Sequence, residues 1–223
     1  MIIIPGIISE ADAKHTVNTI SALPWHPGDN PNPEYREKIK RNEELKAEDS
    51  ETAKIVCQGL QDAILKHNVV RTTLFPYKMV LPSLNRYSGG GSYNRHADHA
   101  LQGTPHLRSD ISMTLFLSDP ADYYGGELTL EYVSGETKRF KEERGTIVLY
   151  PSHVLHYVTP VTQGTRYAAV SWMQSHIRDG HKREVLAEVF GLSEKMKAKE
   201  GLSEDFISLQ NIQNNLYRMW VEI

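Results

Sequence analysis

Between residues 78 and 174 the chain breaks into short β-rich segments, and their spacing constrains the fold more than any other feature. Lys78–Tyr87, Ile111–Leu117, Gly126–Tyr132, Gly145–Tyr150 and Arg166–Gln174 are rich in strand-forming residues and punctuated by Gly, Pro and Asp. Ser112 through Leu117 and Glu127 through Leu130 alternate with a period near two, the mark of strands with two unlike faces. Short strands at such intervals favour a sandwich or barrel over a parallel α/β sheet. Gly89-Gly90-Gly91 reads as a flexible turn, because neither a following Lys-Ser/Thr nor a dinucleotide fingerprint accompanies it.

Helical spacing brackets this region. Ser9 is placed to cap a helix through Ala11, Val17 and Ile20, with Asp12 at the third position as in a capping box, and Pro24 ends it. The polar stretch from His26 to Asp49 opens as a surface loop holding Pro27, Pro31 and Pro33. It continues into a charged block, Glu34 to Glu48, compatible with a solvated helix. Ser50 starts a helix with Ile55, Val56, Leu60, Ala63 and Ile64 on one face, ending near His67-Asn68. From His181 onward Val185, Leu186, Val189 and Leu192 form one apolar stripe. Phe206, Leu209, Ile212, Leu216 and Trp220 form another, and Gly191 and Gly201 break the run. Such stripes are packing surfaces, here for docking on the β region or on a second subunit as a homodimer. The expected class is α+β, with residues 1–77 as support, 78–176 as core and 177–223 as a helical appendage.

Composition narrows the function classes. With 24% charged and 39% hydrophobic residues in 223, a soluble globular protein is expected, and a formal net charge of −3 argues against general affinity for nucleic acid or anionic membranes. No apolar run approaches the ~20 residues that span a bilayer. Met1-Ile2-Ile3-Ile4 meets Pro5-Gly6 without a basic leader, so it reads as a first strand and turn rather than a secretion signal. A single cysteine, Cys57, excludes an internal disulfide and favours a reducing, cytoplasmic compartment. Its helical setting points to a small buried hydrophobe rather than a reactive thiol.

His96 and Asp98 carry the chemistry, together with His156. In extended backbone, residues two apart point to one side, so His96 and Asp98 can reach a single ion while Ala97 faces away. Two neutral imidazoles and one carboxylate suit Fe(II) and leave the opposite face open for substrate and molecular oxygen. Alone, His-x-Asp is weak among ten histidines. The segment His156 through Arg166 strengthens it: a histidine leaves one strand, Thr159-Pro160 and Gln163-Gly164 make a turn, and Arg166 enters the next strand. A guanidinium fork can hold the far carboxylate of a dicarboxylate such as 2-oxoglutarate, and it never loses its charge. His153 is the rival of His156 and is assigned to support around the site. His99 in place of Asp98 would make an imidazole-rich, zinc-favouring set.

Asn85-Arg86-Tyr87, Tyr93 through Asp98, Tyr124 through Leu128 and His156 through Arg166 resemble the PKHD-type hydroxylases, also called PiuC-like. These are Fe(II)/2-oxoglutarate dioxygenases related to prolyl 4-hydroxylases, and the resemblance runs through the tail to Trp220. It implies a double-stranded β-helix, or jelly roll, with His96, Asp98 and His156 as iron ligands, Arg166 as the 2-oxoglutarate anchor, and L-ascorbate as reductant. Tyr87 either hydrogen-bonds the co-substrate or fills core, with Tyr93 in a similar position, and Trp172 is expected in the core. Gly125-Gly126 either lets a strand start close to the site or makes an ordinary hairpin. The primary substrate, small-molecule or peptidyl, would be chosen by the loops His26 to Asp49 and Leu101 to Ser109. The alternative function is a non-catalytic iron or 2-oxoglutarate sensor on the same scaffold. A zinc hydrolase is disfavoured, because no carboxylate base stands beside the histidines.

Overall fold

The computed structural model describes residues 1–28 and 32–222. Pro31 of the expected surface loop lies outside them. The chain opens with β1 (Ile2–Ile4), α1 (Glu10–Ser21), β2 (His26–Pro27), α2 (Pro33–Lys38), β3 (Lys40–Arg41) and β4 (Glu43–Leu45). Helices α3 (Glu51–Lys66) and α4 (Asn68–Leu74) follow, then β5 (Pro76–Met79), β6 (Ser83–Ser88), β7 (Gly91–His96), β8 (Leu101–Gln102) and β9 (Leu107–Arg108). The second half holds β10 (Ile111–Phe116), β11 (Tyr123–Gly125), β12 (Leu128–Glu131), β13 (Thr137–Phe140), β14 (Ile147–Pro151) and β15 (Leu155–Ser175). It ends with α5 (Gly180–Glu200) and α6 (Glu204–Trp220).

The strands form a rolled double sheet, as a jelly roll requires. One layer runs β1-β14-β10-β15-β6-β4-β2, with β5 added beside the end of β15. The other runs β3-β7-β15-β12-β13, with β11 also on β15. The layers share β15, and this corrects the turn expected at residues 159–164. His156 and Arg166 lie on one strand that changes layer. Its first part pairs with β7, His156 opposite His96 and Val161 opposite Gly91. Its second part pairs with β6, Thr165 opposite Ser88 and Val170 opposite Ser83. The bend falls at Gly164, with φ +73°, beside the β6–β7 turn at Gly89 and Gly90, with φ +55° and +84°. A Cβ on Gly164 would lie 2.0 Å from Asp122 O, so glycine is needed there both for φ and for space.

Helices α1, α3 and α4 cover the outer face of the first layer. Ser9 caps α1 by accepting from Asp12 N–H, and its hydroxyl donates to Asp12 Oδ2, so the cap is one-sided rather than a reciprocal box. Ser50 caps α3, whose buried stripe is Ala53, Cys57, Leu60 and Ile64; Ile55, expected on that face, is exposed. These residues join Ile111, Met113, Leu115 and Met173 of the sheet in the main core. The charged block is mostly not a solvated helix. Only Pro33–Lys38 is helical, and Glu43–Leu45 pairs with β6, burying Glu44 and Leu45.

The tail docks through Phe75, which ends α4 with φ 48° and packs edge-on to Phe190 and against Tyr217. Ile177, Leu186, Leu216 and Trp220 complete that cluster. Gly191 does not break α5, because an interior glycine weakens a helix by only about 1 kcal/mol; the break comes at Gly201. Leu192 and Ile212, from the two expected stripes, stay exposed. Among the described residues no helix is long and apolar enough to cross a membrane.

Candidate metal and co-substrate site

Adjacent strands of the inner layer bring His96 and His156 opposite each other, as the last residue of β7 and the second of β15. Each ring is oriented in the same way. His96 Nδ1 lies 2.7 Å from Asn94 O, and His156 Nδ1 lies 3.0 Å from Val154 O. A carbonyl only accepts, so both Nδ1 atoms carry the proton and both Nε2 atoms present a lone pair. Asp98 follows β7, with Oδ1 3.9 Å from His96 Nε2 and Oδ2 3.7 Å from His156 Nε2. Those separations exceed hydrogen-bonding range. The three ligand atoms lie within 4.8 Å of one another, a spread that one ion can bridge.

Electrostatics suit a cation at this point. Burial pushes the His96 pKa down to about 4, and the neighbouring His156 adds to the effect, while the Asn94 carbonyl and Asp98 oppose it. The imidazole is therefore neutral at ordinary pH, the form that binds metals. Tyr93 stacks on the His96 ring at 3.7 Å between centroids, and Tyr150 meets His156 edge-on at 5.1 Å.

Arg166 is 1% exposed and its Nε and Nη2 atoms have no hydrogen-bond partner among the protein atoms. Its guanidinium carbon lies 5.2 Å from the ring centroids of both Tyr87 and Phe116. It is buried rather than exposed at the sheet surface, and among the described residues no carboxylate pairs with it. A buried guanidinium with unused donors fits an incoming carboxylate, since leaving charged donors unsatisfied is costly. Tyr87 is pushed up to about 12, chiefly by burial, with the Arg166 charge opposing. Burial also raises Tyr123 and Tyr150, and Arg166 opposes the rise in both. All three phenols are thus neutral donors around the cation.

A cavity of about 1140 Å³ opens onto the three candidate ligands and Tyr87. Tyr87, His96, Asp98, Ser112, Thr114 and His156 line its inner end, and Arg166 sits one side chain behind that lining, over Tyr87. Its walls also include Lys78 of β5 and, from both loop regions expected to select substrate, Lys40, Glu44 and residues 102–107. Trp172 is half-buried and lines this cavity instead of filling core. His153, expected to support the site or the structure around it, is exposed and lies outside the ligand group. His99 is exposed on the cavity wall, outside the ligand group.

The sequence reading missed Tyr123 and Ser112. Tyr123 is two residues before the Gly125-Gly126 pair, and the glycines were the available signal. Gly126 has φ +69°, and a Cβ there would lie 2.8 Å from Val161 Cγ2, 2.9 Å from Arg166 Cδ and 3.0 Å from Tyr123 Cε2. The glycine pair thus lets β12 begin against the guanidinium, rather than serving as an ordinary hairpin. Ser112 showed itself only as a polar position in an alternating strand.

Comparison with known proteins agrees with this geometry. Residues 82–174 match the model of the 2OG-Fe(II) oxygenase superfamily. The chain is 37% identical over 227 residues to a PKHD-type hydroxylase of Burkholderia lata, covering 100% of this chain and 99% of that protein. It is 36% identical to the PKHD-type hydroxylase YbiX of Shigella flexneri, covering 99% and 98% of the two chains. Among solved structures, a prolyl-4-hydroxylase of Pseudomonas putida superposes with a TM-score of 0.53 at 18% identity, over 78% of this chain and 91% of that one. At that identity the likeness speaks for the fold.

Proposed function

The chain belongs to the PKHD-type hydroxylases, Fe(II)- and 2-oxoglutarate-dependent oxygenases, and on that premise we propose how its residues divide the work. His96, Asp98 and His156 hold Fe(II) on one face. Arg166 takes the 5-carboxylate of 2-oxoglutarate, helped by the neutral phenol of Tyr87. Bound there, iron and co-substrate supply the oxidative chemistry: one oxygen atom enters a substrate C–H bond to give an alcohol, and the other enters succinate as 2-oxoglutarate loses CO2.

The protein contributes placement. The two Nε2 lone pairs and the Asp98 carboxylate fix the ion, and the carboxylate offsets part of its charge. The guanidinium fork would hold the far carboxylate of the diacid and so limit its orientation in the site. Phe116, Leu128 and Val158 are buried apolar neighbours that keep water from this end of the cavity. L-ascorbate is the reductant that maintains the ferrous state.

We further propose a cytoplasmic enzyme acting on an amino-acid, peptidyl or small-metabolite substrate, without nucleic-acid or membrane partners. Residues 78–176 would form its catalytic core, residues 1–77 its support and residues 177–223 its appendage. Exposed Leu192, Ile207, Ile212 and Met219 on the tail are compatible with a homodimer.

The observation that carries this reading is the buried Arg166 guanidinium, with Nε and Nη2 unpartnered among the described residues, together with the three-ligand cluster. Its test is anaerobic addition of Fe(II) and 2-oxoglutarate. A visible charge-transfer band that bleaches on admitting oxygen, with succinate released, is expected. No band, or a band that survives oxygen, would refute it.

A further inference from the structure

The three ligand side chains are braced in two different ways. His96 and His156 each donate to the backbone carbonyl two residues upstream, an acceptor that no side-chain substitution removes. Asp98 lies past the end of β7, outside the ladder, and its carboxylate takes its support from side chains. Ser112 Oγ lies 2.5 Å from Asp98 Oδ2 and 2.8 Å from Ser152 Oγ. A hydroxyl has one proton and a carboxylate only accepts. Ser112 therefore donates to Asp98, and Ser152 donates to Ser112.

This relay is buried and firmly seated. Ser112 and Ser152 are 1% and 4% exposed. Ser112 stands in the middle of the first layer, paired with Tyr150 on one side and Trp172 on the other. Ser152 is held by its N–H to Asp110 O at 3.2 Å, and its own carbonyl accepts from Asp98 N–H at 3.3 Å. Backbone and side chain of Asp98 are thus both tied to the same two serines.

We propose that Ser112, itself fixed by Ser152, is a positioning residue that makes Asp98 a one-oxygen metal ligand. The inference rests on the metal-site reading above. With Oδ2 engaged by a short charge-assisted hydrogen bond, Oδ1 is left to the ion. Without that donor both oxygens are free to chelate, closing a coordination position that co-substrate and oxygen require. Asp98 would also swing with its loop, and metal affinity would fall.

The test is anaerobic titration of metal-free protein with Co(II), read by visible d–d absorption, alongside thermal melting of each metal-free variant. Ser112→Ala should bind Co(II) about 10–100-fold more weakly, the usual effect of losing an outer-shell partner, with altered d–d intensity as coordination changes. Ser112→Thr keeps the hydroxyl and should restore both affinity and spectrum. Ser152→Ala should fall between Ser112→Ala and wild type, and it decides the matter if Ser112→Ala does not fold. His96→Ala separates the two levels: retained tight Co(II) binding there would overturn the metal site itself. Wild-type affinity and spectrum in a folded Ser112→Ala or Ser152→Ala, with His96→Ala unable to bind, would overturn only the positioning role.

Discussion

Replacing Gly126 with alanine adds one methyl group where the chain entering β12 meets the Arg166 side chain. Two costs follow, and Gly6 allows them to be separated. Gly6 has φ +66° with nothing within 4 Å of a built Cβ, whereas Gly126 has φ +69° with three heavy atoms at 2.8–3.0 Å. Gly6→Ala therefore meets only the left-handed penalty, about 1–2 kcal/mol, reduced by the lower entropy of the unfolded alanine chain. Gly126→Ala meets the same penalty plus overpacking against Val161, Arg166 and Tyr123, about 1–3 kcal/mol more. The sum is about 2–5 kcal/mol, or roughly 4–20 °C in Tm for a chain of this size. The Arg166 Cδ must also give way, so the KM for 2-oxoglutarate should rise while Co(II) affinity holds. Calorimetry of both variants and a KM measurement on Gly126→Ala check this. Equal destabilisation of the two variants with an unchanged KM would refute the close-approach argument.

Arg166→Ala should raise the KM for 2-oxoglutarate at least about 100-fold, as expected for a lost charge-assisted bidentate contact, while leaving Co(II) affinity near wild type. Comparable loss of both would mean that the arginine supports the metal site instead. Cys57, fully buried and pushed up to about 12 chiefly by that burial, should resist iodoacetamide at pH 8 until the protein unfolds; rapid alkylation of the native form would contradict its burial. His96 has a folded pKa near 4 against 6.5 for the free side chain, so the folded state disfavours its protonation. Its contribution to metal-free stability is full above pH 6.5 and is lost as pH falls toward 4, on the order of 3 kcal/mol. Urea denaturation at descending pH should show this loss, and His96→Asn should flatten it; an unchanged slope in the variant would assign the effect elsewhere.

The candidate metal cluster and the buried arginine were legible because chemistry limits which side chains can do such work. Two imidazoles, a carboxylate and a distant arginine announce themselves by type. The path between them was not. Thr159-Pro160 and Gln163-Gly164 have turn composition, yet β15 runs through them, because Gly164 bends the strand and its pairing partners change from β7 to β6. Alternation in β10 was visible, but its meaning was not. All six of its residues are buried, and the polar positions Ser112 and Thr114 face the cavity rather than solvent. Glu44 read as part of a solvated block, because charge in sequence does not reveal a partner. In the fold Lys40 sits 2.5 Å from it, and Asn42 and Asn85 stand beside it. Trp172 carries an apolar residue's signature, and only the sheet register shows it opposite Ser112 at the cavity wall.

Carrying His156 and Arg166 on one uninterrupted strand turns the backbone into a ruler. Nine residues and one bend separate the His156 imidazole from the Arg166 guanidinium along the strand. The same ruler forbids editing. One inserted residue between positions 157 and 165 would reverse the facing of whichever end it shifts.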